Sequence, residues 1–139
     1  MSQLTITKEG TVTLNGVVTA PEVTRKIEVS HVWQSEITCS TGTARSVAPT
    51  TKTAAGFADI KFLSITNLDS TNFLHLTLFI NSSTTNSYIH LKIPAGKNFV
   101  LGSNQAYTDL SSPASMGSIE DIQLEADTAA IQAKIFLAS

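Results

Sequence analysis

His75 and His90 lie in 73-FLHLTLFI-80 and 88-YIHLKI-93, two alternating stretches that read as neighbouring strands. Imidazoles that share one face of a sheet are natural zinc ligands. Antiparallel pairing that keeps both apolar faces inward sets position 78 against 89 and 76 against 91. The same register puts Thr77 beside His90 and Phe79 beside Tyr88 on the outer face, with the two histidines diagonal to each other. A zinc centre needs three or four ligands, and neither a carboxylate nor a third histidine joins them. The pair therefore reads as structural or as part of a surface.

Four carboxylates, Glu120, Asp121, Glu125 and Asp127, crowd one stretch near the C-terminal end. Glycoside hydrolysis needs two carboxyl groups a fixed distance apart in a cleft, whereas these alternate around a strand. They read as a solvated edge that discourages edge-to-edge aggregation. Calcium suits their oxygens, but the spacing of an EF-hand loop is absent. Cys39 is the only cysteine, which excludes an internal disulfide and a cysteine zinc site, and it reads as a small buried apolar residue. His31, beside Trp33, reads as a packed strand histidine. Asn81-Ser82-Ser83 fits the glycosylation triplet but reads as an untouched loop. No glycine-rich phosphate loop and no Ser-His-Asp set can be assembled. The expectation is a protein with no catalytic residues, no cofactor and no metal.

The elements that must position these residues are strands. Nearly every segment alternates with period two, and none holds a helical stripe for three turns. Residues 4–6 and 12–14 are short alternating pieces, the second closed by Asn15-Gly16, which favours a tight primed turn. Residues 23–39 read as one long strand, or two meeting at a bend near His31, with the odd positions inward. Asn67-Leu68-Asp69 reads as an Asx-type turn between strands at 60–66 and 73–80. Further strands are expected at 88–93, 99–101, 119–125 and 129–138, with a Pro94-Ala95-Gly96 turn. Eight to ten strands without a crossover helix predict an all-β chain, a single antiparallel jelly-roll-like β-sandwich spanning residues 1–139. Residues 40–56 and 102–118 read as two long loops, containing Pro49 and Tyr107, that could serve as docking arms. Removal of residues 43–53 is then expected to leave the sandwich folded.

Composition narrows the partners. Charged residues are 14% of the chain, against roughly 25% in ordinary domains, and Ser with Thr supply about a quarter. A surface solvated by hydroxyls tolerates being covered by protein, because burying charge is costly. The net charge of −2, with nine scattered basic residues, argues against nucleic acid. No apolar run approaches the roughly 20 residues of a membrane helix, and MSQLTITKEG lacks the pattern of a signal peptide. A soluble protein made in a cytosol is expected.

One resemblance adds to this. An apolar strand runs into Asn-Leu-Asp-Ser-Thr-Asn-Phe at 67–73, and a long apolar strand follows at 74–80. A strand then closes on a Pro-Ala-Gly turn with an apolar triplet after it, at 88–101, and 126–136 reads Ala-Asp-Thr-Ala-Ala-Ile-Gln-Ala-Lys-Ile-Phe. In these segments, somewhat under half the chain, the sequence resembles small virion structural proteins of tailed bacteriophages. The resemblance implies a β-sandwich building block of the particle and no active site. Capsid cement or decoration is the leading role, with a tail, neck or fibre-associated protein as the alternative. Expected partners are a second or third copy of the chain, in a homodimer or homotrimer, and the major capsid protein or other virion proteins. The virion, assembled in the host cytoplasm, is the expected location. A carbohydrate-binding jelly roll is a further alternative, for which Trp33 and Tyr107 are the stacking platforms besides Phe79 and Tyr88. The candidate interface residues are His75, Thr77, Phe79, Tyr88, His90, Pro49 and Tyr107.

Overall fold

The computed structural model describes residues 2–8, 12–14, 17–19, 23–29, 31–47, 60–81, 86–102 and 119–139. Among these, every regular element is a strand: β1 (Ser2–Lys8), β2 (Val12–Leu14), β3 (Val17–Thr19), β4 (Val23–Val29), β5 (Val32–Cys39) and β6 (Arg45–Ser46). The second half supplies β7 (Phe62–Asn67), β8 (Leu74–Asn81), β9 (Asn86–Ile93), β10 (Asn98–Gly102), β11 (Ile119–Ala126) and β12 (Ile131–Ala138).

Two four-stranded sheets carry the fold, in the orders β10-β7-β12-β5 and β6-β11-β8-β9. The pairing is nested: β8 with β9, β7 with β10, β6 with β11 and β5 with β12, all antiparallel. The chain is thus a two-stranded ribbon wound over itself, and the ladders β7–β12 and β8–β11 stitch the windings together. This is the jelly-roll arrangement expected from the strand pattern. Two ladders outside it, β1–β4 and β2–β3, raise the strand total above the expected eight to ten.

Alternation builds the core. In β7 the even positions are half-buried while Leu63, Ile65 and Asn67 are buried, and in β12 Ile131, Ala133, Ile135 and Leu137 are fully enclosed. Leu74, Leu76 and Leu78 of β8 face them with Ile122 and Leu124 of β11. Each such aliphatic side chain contributes about 1.5–3 kcal/mol when taken from water. A smaller cluster lies outside the sandwich, where Val29 and Ala138 are buried with Leu4, Phe62 and Phe136, whose two rings meet edge to face.

That second cluster explains the break within residues 23–39. Val29 packs in the small cluster, whereas Trp33, Ile37 and Cys39 pack in the main one, so the chain changes layer between β4 and β5. Odd positions of β5 do point inward, as expected. His31 differs from expectation: it is exposed, and its backbone exchanges hydrogen bonds with Ser139, prolonging the β5–β12 ladder.

Residues 40–56 are not simply a loop. β6 lies within them, and Val47 is buried in the main core with its N–H on the Ile122 carbonyl. Deleting 43–53 would remove a strand and a core side chain, so that cut does not spare the sandwich. The small-residue composition hid a two-residue strand too short to show any period.

One end of the sandwich is fixed by Asn67, which is fully buried. Its Nδ2 donates to the carbonyls of Asn72 at 2.9 Å and Ile93 at 3.1 Å, and its Oδ1 accepts from the Asp69 N–H at 2.9 Å. The Asn67 N–H donates to the Lys97 carbonyl, presented by the 94–97 turn in which Gly96 takes φ of +66°. A third turn joins through Thr128, whose hydroxyl donates to Asn72 Oδ1 at 2.7 Å. The expected Asx turn is present, and its first residue also ties one sheet to the other.

Candidate functional site

The outer face of the β9–β8–β11 sheet holds most of the candidate residues. Strand alternation that sends Leu74, Leu76 and Leu78 into the core leaves His75, Thr77 and Phe79 on the opposite side. The register is the one expected, with Leu78 against Ile89 and Leu76 against Leu91. Three rows therefore cross the face: Tyr88–Phe79–Asp121, His90–Thr77–Gln123 and Lys92–His75–Glu125.

The first two rows interlock. Phe79 and Tyr88 lie 5.0 Å apart between ring centroids, and Tyr88 stacks nearly parallel with His90 at 6.3 Å. The Thr77 hydroxyl and His90 Nδ1 share a hydrogen bond of 3.0 Å. Asp121 accepts from the Ser46 hydroxyl at 2.9 Å and from Gln123 Nε2 at 2.8 Å. The third row meets an aromatic ring beside it: Lys92 Nζ sits 3.3 Å above the Phe73 ring, which meets His75 edge to face at 4.8 Å. His75 Nε2 is 3.8 Å from Asp127 Oδ1.

The two histidines thus take separate partners, and among the described residues no three His, Cys, Asp or Glu side chains group as metal ligands. The carboxylates line an edge only in part, since β6 pairs with β11 at Gln123 and Leu124 and leaves Glu120 and Asp121 beyond it. β11 lies between β8 and β6, and Asp121 is tied into the face by Ser46 and Gln123. The position of an edge depends on strand order, which the charge pattern does not encode. A register shift between Ile119 and Asp121 puts Glu120 in a bulge of this strand.

The remaining candidates lie elsewhere. Cys39 is buried, and burial pushes its thiol pKa up while the nearby Arg45 guanidinium pulls the other way. Trp33 is half-buried and packs against the main core, away from the Phe79–Tyr88 face. Pro49 and Tyr107, like Ser82-Ser83 and residues 103–118, lie outside the described residues. No helix among the described residues is long and apolar enough to cross a membrane.

Sequence reasoning missed one feature. Ile89 and Leu91, expected to face inward under cover, are 41% and 36% exposed, and their neighbour Tyr88 is 61% exposed. Among the described residues β9 is the edge of its sheet, so one flank of these inward-pointing side chains has no neighbouring strand there. Alternation gave their direction, and only the strand order shows that the flank is open. Of the known proteins compared with this chain, no family model, no curated protein and no solved structure matches it.

Proposed function

We propose that the protein is a non-catalytic structural component of a bacteriophage virion, a cement or decoration protein that stabilises the capsid shell through oligomeric contacts. The observation that carries this reading is the β9–β8–β11 surface, an aromatic face continuous with a half-exposed apolar edge, in which Lys92 lies on the Phe73 ring and Asp121 is held by Ser46 and Gln123. Such a surface is suited to being covered by other protein, since its aromatic groups gain from burial and Lys92 and Asp121 keep their partners within the face. The jelly-roll winding supports the reading by analogy, because capsid proteins use it, as do lectins. So does the sequence resemblance, whose segments fall on β7 to β10 and on β12. Many modest contacts suffice in a shell, where each becomes effectively intramolecular once neighbours are bound.

The test is peptide mass spectrometry of purified particles, with heat-resistance measurements on particles made with and without the protein. Presence in many copies and a lower disruption temperature without it are expected. Absence from particles overturns the reading, and density at the tail, neck or fibres by cryo-electron microscopy transfers the role there. One observation favours a second reading. Tyr88 stacked on His90, beside hydroxyl and amide groups of Thr77 and Gln123, is a platform of the kind that sugar rings stack upon. Glycan-array binding that Tyr88→Ala abolishes would establish it.

A further inference from the structure

The two sheets have four edge strands, and three of them are guarded. β6 is only two residues long, and β10 only five. β5 carries Glu36, and its Thr38 carbonyl accepts a hydrogen bond from Arg45 Nη1 at 3.1 Å. Short length, charge and side-chain capping are the ordinary means of stopping an edge from recruiting another strand. β9 matches β5 in length and in carrying one charge, but lacks such a cap. It runs eight residues in unbroken register with β8, its one charge is Lys92, and among the described residues no hydrogen bond reaches its free side. Ile89 and Leu91 are half-open along that side.

We propose that β9 is a self-recognition edge: it pairs antiparallel with β9 of a second copy, about a two-fold axis at His90. The two four-stranded sheets then become one continuous eight-stranded sheet. The register follows from symmetry and side-chain chemistry. A two-fold axis between antiparallel strands stands perpendicular to the sheet, so each residue must oppose one of the same parity. That condition centres the pairing on a residue. Centring on Ile89 or on His90 gives the longest overlap. With Ile89 at the centre, Leu91 opposes Ser87 and stays poorly covered. With His90 at the centre, Ile89 opposes Leu91 twice, closing both apolar side chains on the inner face. On the outer face Tyr88 opposes Lys92 twice, an aromatic ring against a cation. Backbone hydrogen bonds supply affinity in such strand addition, and the alternating side chains supply register.

This pairing names a partner and a geometry that the virion reading leaves open. It is tested on the isolated protein, so absence from particles would overturn that reading without touching this one. Sedimentation across a micromolar-to-millimolar dilution series should show a species of twice the chain mass. Tyr88→Lys sets like charges opposite each other at two symmetric places and should weaken the dimer at least about tenfold. Adding Lys92→Glu to that variant should restore it, an outcome that a merely structural role for Tyr88 would not produce. His90→Cys should cross-link two chains under mild oxidation with diamide, whereas Thr77→Cys, one strand inside the edge, should not. Circular dichroism confirms that each variant is folded. A wild type that stays monomeric throughout, a trimer, or a dimer undiminished by Tyr88→Lys would each overturn the proposal.

Discussion

Asn67→Asp changes one nitrogen to oxygen and should unfold this protein far more readily than its size suggests. The native amide donates to two carbonyls, those of Asn72 and Ile93, from a fully buried position. A carboxylate would place an oxygen where those carbonyl oxygens need a donor, and a protonated carboxyl group could serve only one of them. Two hydrogen bonds are worth about 1 kcal/mol each in net stability, and stranding a buried carbonyl costs roughly 1–3 kcal/mol more. A loss of about 3–5 kcal/mol is expected, a large share of the roughly 5–15 kcal/mol that holds ordinary domains folded. Urea titration followed by the fluorescence of Trp33, the only tryptophan and one packed against the core, reads this loss directly. Asn67→Ser, which keeps a small polar group without the two-pronged donor, should also be strongly destabilised. A loss below about 1 kcal/mol for Asn67→Asp would refute the claim that this side chain joins the sheets.

Val47→Ala should cost roughly 1–3 kcal/mol in the same titration, because it opens a void in the main core; no loss would return residues 40–56 to the status of a loop. Cys39 should stay inert to a thiol reagent in the folded protein and react fully in denaturant, since burial both hides the thiol and disfavours the thiolate. Asp69 accepts the Asn72 and Thr71 N–H groups, which hold its carboxyl below the usual aspartate range. Its contribution is therefore complete above the usual aspartate pKa and is lost as pH falls through the lower folded value. Asp69→Asn should flatten that acid limb of the stability curve; an unchanged limb would refute the turn's role.

Period-two alternation in the sequence was enough to identify most of the strands, the inward faces of β5, β8 and β9, and the pairing of β8 with β9. These follow from local sterics and from a register that a one-residue slip would turn inside out. The Asx turn was legible because Asn and Asp bond their own backbone. What stayed hidden depends on distant neighbours. β6 is too short to show a period, and Asn67 acquires its second role only when β9 ends beside it. The charges near Asp121 give no sign that β6 pairs with β11 just beyond them, at Gln123 and Leu124. Ile89 and Leu91 look like core until β9 turns out to be an edge. The outer-face rows needed only the register, which is why Phe79 with Tyr88 and Thr77 with His90 could be matched in advance.

The nested winding also governs how the chain must acquire this shape. Among the described strands, β8 and β9 are the only sandwich partners adjacent in sequence, so they can pair without first closing a long loop. Every later ladder joins segments farther apart, out to β5 with β12. Yet β12 is not peripheral: it stands between β7 and β5 and completes their sheet. On a ribosome, β5 and β7 must wait, with their apolar faces unpaired, until the strand that belongs between them has been made. Folding dominated by such distant contacts is slow, and the waiting strands are exposed to misassembly. Hydroxyl side chains alternate with those apolar positions, Thr38, Ser64 and Thr66 among them, and give the outer side of each waiting strand groups that water can solvate.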